Sequence, residues 1–398
     1  MKIVPETRDF TMQTYARWPV EFVEGRGTTL LDGDGTPYLD LTAGIAVASV
    51  GHAHPAVADA IAEQARRLMH VSNLYGTRPQ MELAERLAGL SGGKLSFFSN
   101  SGAEAIETAL KLARKWGARE RGAGTVRVIA AVGSFHGRTF GALSATGQSK
   151  KRAAFEPLVP GFTHIPFGDP SALEEALGDD VAAVLLEPIQ GEGGVVVPPE
   201  GYLERVRSLC DRAGALLILD EIQTGVARTG RWFAYEHSGV VPDVICLAKA
   251  LAGGLPIGAC LAEPDVASAF SPGDHASTFG GGPVQSAAAL AVLDVIEREG
   301  LLDRAAAAGR SFLAGLQDVA PPGSDVRGVG LLLGVELNRP VARRVAEAAF
   351  ARRVLVNDVT PNVVRISPPL VITDDDVDRA LTVLAEAFAS VEAEGSTP

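Results

Sequence analysis

Lys249 stands in an apolar, glycine-rich stretch, Asp243-Val-Ile-Cys-Leu-Ala-Lys249-Ala-Leu-Ala-Gly-Gly-Leu-Pro-Ile-Gly258. Past Asp243, no side chain in that stretch can neutralise its ammonium. Desolvation favours the neutral amine, the form that condenses with an aldehyde. Upstream, a second apolar run, Ala215-Leu-Leu-Ile-Leu219, ends in Asp220-Glu221. A nucleophilic lysine and an acid, each at the mouth of a buried strand, suit pyridoxal phosphate chemistry. The amine forms a Schiff base and the carboxylate pairs with the protonated ring nitrogen. A lone lysine after a hydrophobic strand is more often a surface residue whose head reaches water. The reading therefore needs support from the rest of the chain.

The elements that would position these groups are legible in the middle of the sequence. Thr125–Val132, Val181–Leu186, Ala215–Leu219 and Val244–Leu247 are short apolar runs, the pattern of strands buried on both faces of a parallel sheet. Helical patterns lie between them. One opens after Ser99-Asn-Ser-Gly-Ala103 and puts Ile106, Leu110, Ala113 and Gly117 on one face; another spans Pro199 to Arg212 and stops before Gly214. This alternation predicts an α/β domain. Ligands of open parallel sheets sit beyond the carboxyl ends of the strands. Glu187, Asp220 and Lys249 all fall just past strand ends, so they are expected to share one cleft.

The flanks differ. Gly27–Asp40 reads as two short strands joined by a tight Asp-Gly turn. A C-terminal helix opens at Thr373-Asp-Asp-Asp376, with Val377, Ala380, Leu381, Leu384 and Phe388 on its apolar face. Pro321-Pro-Gly-Ser324 reads as a loop, and Glu394–Pro398 as a frayed end. The expected organisation is an N-terminal segment, 1–50, that joins a C-terminal part, 299–398, in a small domain, around a large domain at 51–298.

Bulk properties narrow the function. The chain has 398 residues, 46% apolar and 21% charged, with a net charge of −12. That charge opposes nucleic acid and anionic membrane as partners. Cys210, Cys246 and Cys260 are odd in number and unpaired in spacing, which argues for a reducing compartment. Met1–Glu6 lacks a signal-like apolar stretch, and no apolar run reaches transmembrane length. A cytoplasmic protein is expected. His52 and His54 have an i, i+2 spacing but no acidic or Cys cluster beside them, so no metal site is expected. The small residues of Ser99-Asn-Ser101-Gly102-Ala103-Glu104 open a helix whose N-terminus welcomes a phosphate, although such a segment alone is usually only a cap.

Eight motifs in order along the chain carry a family resemblance: Gly51-His-Ala-His-Pro55, Asn100-Ser-Gly-Ala-Glu104, Phe135-His-Gly-Arg-Thr139, Glu187-Pro-Ile-Gln-Gly-Glu-Gly-Gly194, Asp220-Glu-Ile-Gln-Thr-Gly225, Leu247-Ala-Lys249, Ser277-Thr-Phe-Gly-Gly281 and Arg365-Ile-Ser-Pro-Pro369. Over nearly its whole length the sequence resembles the class III (subgroup II) pyridoxal-phosphate-dependent aminotransferases, and among them the acetylornithine aminotransferases. The resemblance implies fold type I (aspartate-aminotransferase-like): a large, mostly parallel-sheet domain and a smaller α+β domain from both termini. It implies Lys249 as Schiff-base lysine and proton shuttle, and Asp220 at the ring nitrogen. Gln223 would reach the ring hydroxyl, with Ile222 below the ring and Phe135 above it. Ser101, Gly102 and Ala103 would cradle the phosphate. Thr278 would reach the phosphate of the other subunit of a homodimer whose active site is shared across the interface.

For substrates, the resemblance implies Arg138 and Arg365 as the cations for 2-oxoglutarate, since arginine's planar fork suits carboxylates. Glu192 would pair with Arg365 in one half-reaction and release it in the other. Tyr15 would line the entrance. Glu187 fits a functional or a purely structural role. The chain departs from the common acetylornithine pattern at Ile106, Ala227 and Gly282, none of them a catalytic position. The implied activity is ping-pong transfer of the ω-amino group of N2-acetyl-L-ornithine to 2-oxoglutarate, giving N-acetylglutamate 5-semialdehyde and L-glutamate, as in arginine biosynthesis. The alternative is another ω-amino donor (ornithine, succinylornithine, 4-aminobutyrate or carrier-linked lysine). Arg138 weighs against an aminomutase, and the retained Lys249, Asp220 and Arg365 weigh against a silent relative.

Overall fold

The computed structural model describes residues 10–395, without the side chains of 394 and 395. The reading of Met1–Glu6 and the fraying expected over 396–398 lie outside the described residues, whereas the last helix, Asp374–Gly395, continues through 394 and 395. Three N-terminal strands come first: β1 (Phe22–Arg26), β2 (Thr29–Asp32) and β3 (Pro37–Asp40). The Gly27–Asp40 stretch holds the expected hairpin, β2 and β3. The additional strand β1 escaped notice because its Val-Glu-Gly-Arg run shows little alternation and stays largely exposed.

The central sheet has seven strands: β4 (Leu95–Ser99), β5 (Arg127–Ala131), β6 (Phe162–Ile165), β7 (Val181–Leu186), β8 (Leu216–Asp220), β9 (Val244–Leu247) and β10 (Gly258–Ala262). Their order is β4-β10-β9-β8-β7-β5-β6. β10 runs against both of its neighbours and all other pairs are parallel. Every residue of β7, β8 and β9 is buried, which is why these strands read as unbroken apolar runs.

The Gly102–Arg121 helix covers one face of the sheet with Ile106, Leu110, Ala113 and Gly117 buried. Gly117 permits the approach: a Cβ there would lie 2.6 Å from the Thr125 carbonyl oxygen. The helix starts at Ser101, whose side chain accepts from the Glu104 N–H, while the Glu104 carboxylate accepts from Asn100 N–H at 2.9 Å. The Tyr202–Ala213 helix ends at Gly214 in the left-handed region (φ 63°).

The C-terminal strands are β11 (Asp325–Val329), β12 (Leu332–Glu336), β13 (Val354–Leu355), β14 (Asn357–Asp358) and β15 (Val363–Ile366). β13 pairs in parallel with β3, so both ends of the chain meet in one sheet of order β1-β2-β3-β13. The second small sheet, β11-β12-β15-β14, carries Arg365 on β15. The Asp374–Gly395 helix buries Val377, Ala380, Leu384 and Phe388. No helix among the described residues is long and apolar enough to cross a membrane.

Candidate active site

The strand directions put Ser99, Glu187, Asp220, Ala248 and the start of β10 at one edge of the sheet. A cavity of about 420 Å³ opens there. Its walls include Ser101, Gly102 and Ala103 from the helix start, Phe135 and Arg138, Glu187 and Glu192, Asp220, Ile222 and Gln223, and Lys249. Tight packing shapes the rim. A Cβ on Gly258 would lie 2.2 Å from the Ser101 carbonyl oxygen, and one on Gly191 only 1.9 Å from Gln223 Oε1.

Lys249 follows β9 with φ 38°, a left-handed backbone unfavourable for a side-chain-bearing residue. Burial pushes its pKa down to about 8, against the opposing pull of the Glu192 carboxylate. Asp220 ends β8 and is 4% exposed. One of its oxygens meets His136 Nδ1 at 2.7 Å, and the other accepts from the Ile222 N–H at 3.1 Å. His136 went unnoticed in the sequence beyond its membership of the Phe135–Thr139 motif. Its isolated position gave no sign that it would hold a carboxylate from β8.

Glu187 explains itself by its bonds. It accepts from the N–H groups of Phe135 (3.1 Å) and Gly191 (3.2 Å), tying together the two loops that wall the cavity. Burial raises its pKa to about 7. Glu221 is also raised to about 7 by burial, but it points away, accepting from Thr224 and the Tyr235 N–H.

Arg365 is 1% exposed. Its Nη1 donates to Glu192 Oε1 at 2.5 Å and to Gln223 Oε1 at 3.0 Å, and its Nη2 donates to Asn357 Oδ1 at 2.7 Å. Burial alone would raise the Glu192 pKa, but the Arg365 guanidinium and, more weakly, Lys249 bring it below the ordinary range. Arg138 lies at the exposed rim, its Cζ 5.4 Å from the Phe135 ring centroid. Three expected site residues stay outside the cavity walls in the single chain: Arg365, which stands behind Glu192 and Gln223, and Tyr15 and Thr278. Tyr15 is 74% exposed, near Arg17, and Thr278 lines a separate depression with Asn73, Gln80 and Ser277. Of the departures, Ile106 is a core residue behind the sheet, Gly282 precedes the Pro283–Arg298 helix, and Ala227 holds φ 71° where a glycine would be unstrained.

These residues fit pyridoxal phosphate. A desolvated amine, a buried carboxylate with one face on the cavity, and a helix N-terminus with intrinsically unpaired N–H groups border one space. Arg138 adds a cation to its wall, and Arg365 stands behind Glu192 and Gln223, which also line it.

A family model, Aminotransferase class-III, matches residues 11–388. The chain is 49% identical over 393 residues to an acetylornithine aminotransferase of Methanothermobacter thermautotrophicus, covering 98% of this chain and 99% of the relative. Among solved structures, the ornithine aminotransferase of Toxoplasma gondii matches with a TM-score of 0.93 at 39% identity, over 97% of this chain and 94% of that one. An amine transaminase from an uncultivated Pseudomonas species, solved in its PLP-bound form, matches with a TM-score of 0.89 at 31% identity, over 98% and 100% of the two chains.

Proposed function

The chain belongs to the class-III aminotransferases, and from that premise we propose that it moves the ω-amino group of N2-acetyl-L-ornithine to 2-oxoglutarate in arginine biosynthesis. It is a pyridoxal-phosphate-dependent transaminase. The observation that carries the substrate reading is the ion pair between buried Arg365 and Glu192 beside the Lys249 amine. A donor whose reacting end lacks a carboxylate leaves that pair intact. A dicarboxylate needs Arg365, and Glu192 must then let go. Without such a partner, a buried guanidinium facing the methylene end of the donor would cost on the order of a few kcal/mol.

When bound, the cofactor supplies an aldehyde that condenses with amines and a ring that accepts electrons. The chain's own groups do the rest. Lys249 Nζ would hold the cofactor and move the proton at the substrate carbon. Asp220, fixed by His136, would pair with the ring nitrogen and keep it protonated. The helix start at Ser101, Gly102 and Ala103 would receive the phosphate, and Ile222, Phe135 and Gln223 would hold the ring. Arg365 binds the acceptor's carboxylate next to the reacting carbon, and Arg138 binds the distal carboxylate of either substrate.

The active form we propose is a cytoplasmic homodimer, with 51–298 as the large domain and 1–50 with 299–398 as the small one. Support for the dimer comes from exposed apolar side chains around Thr278: Leu74 is 86% exposed, Tyr75 67%, Met81 58% and Phe279 60%. Pairing these faces would bring Thr278 to the partner's phosphate and give Tyr15 a surface to close. Product analysis tests the reaction. Acetylornithine and 2-oxoglutarate should yield equimolar glutamate and trapped semialdehyde; no glutamate from that pair would overturn the assignment.

A further inference from the structure

Glu192 needs somewhere to go when it releases Arg365, and among the described residues the one nearby cation without an assigned role is Lys151. We propose that Lys151 is the alternate partner of Glu192, receiving its carboxylate while Arg365 is engaged by a dicarboxylate. The inference rests on the switching role of Glu192 proposed above.

The geometry is local and connected. The Glu192 carbonyl accepts from Gln148 Nε2 at 3.5 Å, and the Lys151 N–H donates to the Gln148 carbonyl at 3.0 Å. Lys151 Nζ lies 4.6 Å from the centroid of the Phe135 ring, and Phe135 in turn lines the cavity. It is half-buried and has no hydrogen-bond or ion-pair partner among the described residues. Glu192 is the foremost carboxylate acting on its charge, and Lys151 in turn acts on Glu192. The other candidates are occupied. Lys249 holds the cofactor, Arg138 takes the distal carboxylate, and Arg365 is the residue being vacated. An ammonium suits this role, because a compact charge on a flexible stem can meet a moving carboxylate without demanding fork geometry.

The test uses the cofactor-loaded enzyme, with glutarate as a non-reacting dicarboxylate of the acceptor's length. Lys151→Met keeps the stem over Phe135 and removes the charge. It should weaken glutarate binding, measured by calorimetry, and slow the 2-oxoglutarate half-reaction, each by about tenfold. The donor half-reaction should stay within about twofold, and Lys151→Arg should recover most of the loss. In a Glu192→Gln background, Lys151→Met should have no further effect. A loss that persists in that background would mean that Lys151 touches the substrate or only supports Phe135, and would overturn the proposal. Unchanged glutarate binding in Lys151→Met would do the same. Glu192→Gln by itself separates the two levels. Selective loss of the donor half-reaction supports the switch, whereas equal loss in both half-reactions removes the switch and this proposal with it.

Discussion

Lys249 offers a prediction that does not depend on knowing the donor. Its burial lowers its pKa from 10.5 to about 8. At pH 7 an amine titrating at about 8 is neutral in about one molecule in ten, whereas an exposed lysine is neutral in about one in three thousand. The site should therefore capture an aldehyde about 300-fold more readily than a free lysine amine at that pH. The assay incubates cofactor-stripped protein briefly with pyridoxal phosphate, traps the adduct with borohydride and quantifies the Lys249 peptide by mass spectrometry. N-acetyl-lysine in the same tube, with its own amine ionisation divided out, corrects for the aldehyde's titration. Normalised capture should rise about tenfold per pH unit below 8 and then level off. Glu192→Gln should move the plateau to lower pH, because the Glu192 carboxylate supports the ammonium form. Capture that still climbs tenfold per unit above pH 9 would refute the claim that burial activates this amine.

Four further outcomes follow from the same contacts. Lys249→Ala should lose the proton carrier and cut turnover by about 10⁴-fold while the protein still folds, checked by steady-state rates and circular dichroism. His136→Phe removes the donor to Asp220 and should weaken cofactor retention by about 10- to 100-fold, measured by equilibrium dialysis. Arg365→Ala should slow the 2-oxoglutarate half-reaction far more than the donor half-reaction in stopped-flow traces; equal slowing would argue against the switch. Ala227→Gly relieves a left-handed backbone and should raise stability by about 0.5–1 kcal/mol in urea melts, with activity unchanged.

The sheet was legible because β7, β8 and β9 are buried on both faces, and apolar runs of only 4 to 6 residues are of strand rather than helix length. Their ends alone implied that Glu187, Asp220 and Lys249 converge, and the structure places all three on one cavity. The helix after Ser101 was equally plain from its buried stripe and its cap. Strand β1 was not legible because it is short and mostly exposed. His136 and Lys151 were missed for a different reason. Each acts on a residue far away in sequence, Asp220 or Glu192, and only the packing of the Phe135 loop against β8 and the Gly191 turn brings them together. Glu187 could not be classified until its two backbone donors were seen. Thr278 and Tyr15 line no part of the cavity in one chain, so their proposed roles depend on a second copy.

The central claim is the donor, and single-turnover spectroscopy of the cofactor-loaded protein tests it most directly. The visible absorbance of the lysine-bound cofactor would be followed after mixing with acetylornithine, ornithine, succinylornithine, 4-aminobutyrate or glutamate in turn. Fast loss is expected with acetylornithine and with glutamate, and slow loss with the other three. Fast loss with glutamate but a different best donor would contradict the acetylornithine assignment.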